Sequence, residues 1–340
     1  MGIIIGAVVF IFIIRLFYVF GQMKSNSKKT SSDGVEIYSI CKSKGMSVHD
    51  IHSIEHDPRA VTWVKERLLD IRASEKNVGR SRNDLIASCM HDAWRKKEKS
   101  HIASVVANWG IKHGLPQFRG LSNSLTKGDP FSISDDEIDS VYDLKVLSAE
   151  LDCFSVPFGT EEPVESITSI PDEVFMLPKL ECLYFGRGGY PENFAVELDG
   201  IPDNIKNAKN LKFLHLQHCG LKELPRHIFT PWLEELKLGG NDIKIIPDGI
   251  GAAKSLRMLT VWGNDLEYVS ENIGDLKNLK RLDLDSNPRL KMPNSIINLG
   301  DMEELYIDEC LPGLTQEQLV WLKKNNSFIR QPEANDEIPF

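Results

Sequence analysis

Apolar residues in the second half of this chain recur with two nested spacings. Leu211, Leu233, Leu256 and Leu279 each open the pattern L-x-x-[LV]-x-[LV]-x-x-[NC], and Met302 opens a variant of it. The step from 211 to 233 is 22 residues and each later step is 23. Inside each unit the apolar residues alternate, as at Leu236 and Leu238, so one side of a short strand is apolar and the other polar. Leu224-Pro225, Ile246-Pro247 and Met292-Pro293 follow at a fixed offset and start a return segment, whose inner face carries Ile228, Ile250, Ile273 and Ile296. Proline there costs no ladder hydrogen bond. A fixed period in the twenties describes one supersecondary unit stacked on the next, with a continuous core that no single unit could bury.

The fullest unit, LEELKLGGNDIKIIPDGIGAAKS from Leu233, resembles the 23-residue class L-x-x-L-x-L-x-x-N-x-L-x-x-L-P-x-x-I of the leucine-rich-repeat superfamily. The resemblance covers residues 145–326. It implies an α/β solenoid of short parallel strands with an extended concave face, a binding role rather than catalysis, and no cofactor; it fixes the fold and not the partner. Asn241, Asn264 and Asn287 are expected to bond backbone groups of the tight turn, with Cys219 and Cys310 filling the same column. Several departures stand out. Ser270 replaces the proline, and Asn287-Pro288-Arg289-Leu290 shifts the leucine by one place. Gly188 occupies the Asn column of the repeat opened by Leu180, and an inserted loop, Gly189–Asp199, delays its closing Ile201-Pro202. Leu147–Val156 reads as an N-terminal cap strand. Thr315-Gln-Glu-Gln318 is a capping box leading into a helix with Leu319, Trp321 and Leu322, which would close the last repeat.

Non-consensus strand positions face the concave side by register. Those expected to carry recognition of a protein partner are Tyr184, Phe213, His215, His218, Met258, Trp262, Asp283, Asp285, Tyr306 and Asp308. Phe213, Met258 and Trp262 are outward apolar groups of the kind that anchor interfaces. The acidic positions at the far end suit a basic patch on the partner.

Upstream the period changes. Asp57-Pro58 is an N-cap with proline at the first helical position, followed by Val61, Val64, Leu68 and Ile71. Ser81 with Asp84 resembles a capping box, and Leu85/Ile86, Cys89/Met90 and Ala93/Trp94 mark one apolar face; Ile102, Val105, Val106 and Trp109 resume it beyond the charged run 95–99. Residues 35–125 are thus expected to form a small helical domain of about three helices. Gln22–Gly34, rich in Ser and Lys, reads as a flexible linker over 23–34, and residues 327–340 as a tail. Residues 2–20, GIIIGAVVFIFIIRLFYVF, have the length of a transmembrane helix and are interrupted only by Arg15. They place an anchor at 1–22. Lys24, Lys28 and Lys29 behind it put the C-terminal bulk in the cytoplasm of a single-pass membrane protein. The full expectation is an α/β leucine-rich-repeat solenoid preceded by one transmembrane helix and a small mainly helical domain.

Charge is unevenly spread within a net −9. Residues 35–128 carry 16 Lys/Arg against 10 acids, and residues 129–340 carry 20 against 38. The acidic repeats exclude nucleic acid as their partner. The six cysteines form no CxxC pair, as expected in a reducing compartment. His49, His52 and His56 would share a helix face at a spacing that could hold a metal, against the plainer reading of a solvated polar face. Two further readings remain. One is an enzyme or effector in residues 35–125 targeted by the repeats; the other is an exported surface-recognition protein of reversed topology.

Overall fold

A computed structural model describes residues 27–73, 79–118, 121, 125, 130–148, 166–186, 196–307 and 313–325. The chain divides into two compact units, one of residues 1–104 with 123–138 and the other of residues 105–122 with 139–340.

The first unit is helical. Helix α1 (Ser27–Ser43) is followed by α2 (Val48–Glu55), α3 (Pro58–Ala73), α4 (Arg82–Lys112) and α5 (Asp135–Tyr142), the last two running on into the second unit. Each start has a local cause. Ser47 and Asp50 close a reciprocal capping box on α2, Asp57 Oδ1 accepts from the Arg59 N–H at 3.0 Å, and Ser81 Oγ accepts from the Asp84 N–H at 3.1 Å. Ile37, Cys41, Met46, Ile51, Ile54, Val64, Leu85, Cys89 and Met90 make one buried core. Trp63 packs on it and meets Phe131 at a ring-centroid distance of 6.1 Å.

Two expectations change here. Helix α1 already begins at Ser27, inside the segment expected to be a flexible linker. The charged run 95–99 lies within a continuous α4, where Lys96 is held by Asp135 and by the Ile133 carbonyl at 3.0 Å. The membrane expectation is also corrected. No helix among the described residues is long and apolar enough to cross a bilayer. Helix α4, at 31 residues, has the length but carries Arg95, Lys96, Lys97, Glu98 and Lys99 through its middle, and such charges are costly in hydrocarbon. Residues 2–20, on which the expected anchor and the single-pass topology rest, lie outside the described residues.

In the second unit, seven parallel strands stand in the order β1 (Val146–Ser148), β2 (Cys182–Gly186), β3 (Phe213–Gln217), β4 (Glu235–Lys237), β6 (Met258–Thr260), β8 (Arg281–Asp283) and β9 (Glu304–Tyr306). Each strand pairs with its predecessor in the sheet at the same register, so Leu147, Leu183, Leu214, Leu236, Leu259, Leu282 and Leu305 form one continuous column. All seven are buried. At roughly 1.5–3 kcal/mol for each buried leucine, this column is the main reason that neighbouring repeats stack. A second sheet pairs only β5 (Ile245–Ile246) with β7 (Tyr268–Val269).

The return segments are short 3-10 turns, capped by Pro171, Pro202, Pro225, Pro247 and Pro293 without a side-chain bond. Ser270 shows what replaces proline. Its Oγ accepts from Asn272 N–H at 3.2 Å and donates to Asp248 at 2.6 Å, while its own N–H reaches the Ile246 carbonyl at 3.0 Å. A proline there would forfeit that last bond.

The asparagine column bridges successive coils. Asn241 accepts from the N–H groups of Cys219 (2.9 Å) and Leu221 (3.0 Å) and donates to the carbonyls of Leu216 and Leu238, both at 2.8 Å. Asn264 and Asn287 accept from Ile243 and Leu266 and donate to the carbonyls of their own and the preceding repeat. Cys219, in the same column, gives only a weak bond to the Gln217 carbonyl at 3.4 Å.

Both ends of the column are closed. At the C-terminal end the capping box is complete, with Thr315 N–H on Gln318 Oε1 at 2.8 Å and Gln318 N–H on Thr315 Oγ1 at 3.2 Å. Helix α6 (Gln316–Asn325) buries Trp321 and Leu322, and Asn325 Oδ1 accepts from the Met302 N–H at 3.1 Å. Gln318, rather than Leu319, is the buried residue of that face. At the other end, residues 105–122 group with the repeats. Trp109 meets Phe185 edge-on at 5.9 Å and donates its Nε1–H to the Ser169 carbonyl at 3.0 Å, and the Phe118 ring occupies the space where Gly110 has no Cβ.

Candidate recognition face

Register lays out the sheet face that points away from the leucine column. One row runs Cys182, Phe213, Glu235, Met258, Arg281, Glu304, and the next Tyr184, His215, Lys237, Thr260, Asp283, Tyr306. Beyond the strand ends the ladder continues: Gly240 N–H bonds to the Trp262 carbonyl at 2.8 Å and Gly263 N–H to the Asp285 carbonyl at 3.0 Å. Nine of the ten positions expected to bind a partner are described and lie on these rows or at the turn that ends them; Asp308 lies outside the described residues.

The face is not a uniform stripe. At its first end, Tyr184 and His215 rings are 4.5 Å apart, His215 Nε2 meets Glu235 at 3.3 Å, and Lys237 reaches the same carboxylate at 3.8 Å. Burial, and then the Lys237 charge, push the His215 imidazole down to about 4 despite Glu235, so it is neutral near pH 7. At the far end, Arg281 pairs with Glu304 at 2.8 Å, lies over the Tyr306 ring at 5.4 Å, and Tyr306 donates to Glu304 at 3.2 Å.

Between them sits Trp262. Its ring covers Gly239, where any Cβ would collide with the indole, and meets the His218 ring edge-on at 5.3 Å. His218 adopts a left-handed φ of 54°, uncommon for a side-chain-bearing residue, and its imidazole in turn covers Gly240. The glycine pair therefore leaves the space that both rings occupy. Only glycine at 239 admits this indole.

Aligned leucine columns, asparagine bridges and one strand per coil at the expected register settle the architecture. The second unit is a leucine-rich-repeat array. No protein-family model and no curated protein matches the chain. Solved structures similar to it include a leucine-rich-repeat protein of Leptospira interrogans, 26% identical over 47% of this chain and 45% of that one, with a TM-score of 0.38. Another is a TDR receptor, 28% identical over 42% and 24%, TM-score 0.35. A third is the plant peptide hormone receptor RGFR1 in complex with RGF2, 22% identical over 42% and 31%, TM-score 0.30. The chain spans less than half the length of each.

Outside the leucine-rich repeats, the histidine trio does not gather. His52 and His56 stack at 3.7 Å, and His56 Nδ1 is spent on the His52 carbonyl at 2.8 Å. His49 is exposed, and no group of three ligating side chains among the described residues could hold a metal. Burial pushes the thiols of Cys41 and Cys89 up to about 12 and about 11, which suits packing rather than nucleophilic chemistry.

Sequence spacing alone missed three features. Thr260 is only 4% exposed although its column faces outward. The Gly239-Gly240 pair is visible in the sequence but acquires meaning only once Trp262 and His218 lie on it. Ile245 and Tyr268, register partners in the small second sheet, are exposed apolar groups on the return side of the coil.

Proposed function

We propose that this chain is a recognition protein without chemistry of its own, and that the outer face of its seven-stranded sheet binds another protein. One observation carries the reading: an indole seated on Gly239, where any Cβ would collide with it, and edge-on to the His218 ring, at a position where neither the core nor the asparagine bridges need it. A fixed aromatic has little conformational entropy left to lose on binding, which is what an interface anchor requires.

The test is Trp262→Ala in the full chain, with the associated proteins quantified by mass spectrometry against wild type. Losing an anchor of this kind costs on the order of 2 kcal/mol, about thirtyfold in affinity. Association is expected to fall by that factor while the melting temperature stays within a few degrees, since the ring stabilises no core. If partner recovery is unchanged, and instead disappears on deleting the inserted segment Gly189–Asp199, the loop is the recognition element and the sheet face is not.

A further inference from the structure

The charges on the sheet face are mostly used internally. Glu235 is matched by Lys237 and His215, and Arg281 by Glu304. Asp283 and Asp285 belong to none of the ion pairs among the described residues. Their recorded hydrogen bonds are local: Asp285 N–H on Asp283 Oδ1 at 3.2 Å, and Ser286 Oγ–H on Asp285 Oδ2 at 3.4 Å. Neither brings a positive charge.

A second, separate observation lies beside them. Thr260 is the register partner of Asp283, so the two side chains are neighbours on the same face. Its Oγ1 is buried and has no hydrogen-bond partner. A buried hydroxyl without a partner is costly and is uncommon in a folded protein unless something outside completes it. Two residues on, Trp262 adjoins Asp285 across the ladder, with its ring fixed on Gly239.

We infer that Thr260, Trp262, Asp283 and Asp285 together receive a cationic side chain, arginine in preference to lysine, presented by the protein partner. The inference rests on the sheet-face reading above. Two carboxylates outside any ion pair and a buried hydroxyl, on the sheet face that also carries the Trp262 ring, match a planar guanidinium, which donates five N–H bonds and stacks on an indole; an ammonium can meet the charge but not the plane. Asp283 agrees with this. Burial above all, with the Asp285 charge, raises its carboxyl above the ordinary value against the opposing Asp285 N–H bond and Arg281 charge, a penalty that a docked cation would relieve further.

A random peptide library displayed on phage and selected on the full chain supplies the probe. Selected peptides are expected to share an arginine. Affinities follow from fluorescence anisotropy for wild type, Trp262→Ala, Thr260→Val and the double variant Asp283→Asn with Asp285→Asn, each checked for an unchanged thermal melt. Replacing the peptide's arginine by citrulline, nearly isosteric but neutral, should weaken binding tenfold or more. The asparagine pair should do the same, and combining the two should add little. Rising salt should weaken the wild-type complex and leave the neutralised one nearly unaffected. Selected peptides without a cation, a selection that yields no binder, or an asparagine pair that binds like wild type would each overturn the inference. Loss with Trp262→Ala but not with the asparagine pair leaves the sheet-face reading standing and removes only the cation. Indifference to both removes both.

Discussion

Replacing Asn241 by alanine tests the central energetic claim about the array, that its coils are tied by side-chain amides as well as by leucines. The Asn241 side chain satisfies two N–H groups, of Cys219 and Leu221, and two carbonyls, of Leu216 and Leu238, at distances of 2.8 to 3.0 Å. It is 6% exposed, so water has little access to replace it. Each buried backbone group left without a partner costs roughly 1–3 kcal/mol. Carbonyls tolerate the loss better than N–H groups, and a water entering the vacated space recovers part of it. The net expectation is about 3–5 kcal/mol, large against the total stability of an ordinary domain. Urea unfolding followed by circular dichroism should show the midpoint falling accordingly. Hydrogen exchange supplies the local readout, because the amides of Cys219 and Leu221 should lose protection before the rest of the array does. A loss under about 1 kcal/mol with those two amides still protected would refute the reasoning, and the leucine column would then hold the coils unaided.

Leu236→Asp should cost several kcal/mol and unfold neighbouring coils together, since it places an unpaired charge in the column; Lys237→Ala, one residue on, should change the melt by less than about 0.5 kcal/mol. Equal melts for the two would mean that the strand register is wrong. The His215 imidazole is held down to about 4 from an ordinary 6.5, so the folded state favours its neutral form. Its contribution is complete above pH 6.5 and is lost as pH falls from there towards 4, because the unfolded chain then takes up the proton first. His215→Gln should therefore flatten that part of the stability profile, and an unchanged slope in pH-dependent melts would count against it. Trp109→Ala should lower stability by about 2 kcal/mol through the lost Phe185 contact and the lost bond to Ser169. The argument that residues 105–122 cap the repeats fails if that variant melts like wild type.

Columns were the legible part of this chain. Leu233, Leu236 and Leu238 declare a strand because their alternation is local, and the repeat of 22 or 23 residues places the next strand beside it without any tertiary knowledge. The sheet-face positions were legible for the same reason, as the complement of the core columns. What escaped was set by contacts far apart in sequence. Trp109 reads as the continuing apolar face of a helix, and nothing near it announces that its ring ends against Phe185. Thr260 looks like any outward strand threonine, and nothing near it in sequence announces its burial. Ser27–Gly34 is poor in apolar residues and reads as a linker, yet α1 runs through it. The apolar run at residues 2–20 lies outside the described residues. Hydropathy proposes a span from composition alone, and no described helix meets that description.

The two kinds of glycine in the array separate what builds the solenoid from what equips it. Gly110 is architectural: its missing Cβ admits the buried Phe118 ring. Gly239 opens no route to the core. It sits on the outer side of the sheet, and the ring it admits belongs to the next repeat on that same side. Placing glycine at that position carries a backbone-entropy cost, roughly 0.5–1 kcal/mol relative to alanine. The core gains nothing in return, because the leucine column and the asparagine bridges are already complete without the indole. The gain is positional: the Trp262 ring is seated on the outer sheet face, the face that also carries Asp283 and Asp285. A surface arranged in this way has met its ordering cost during folding, which is the condition under which a few side chains on a flat sheet can discriminate between partners.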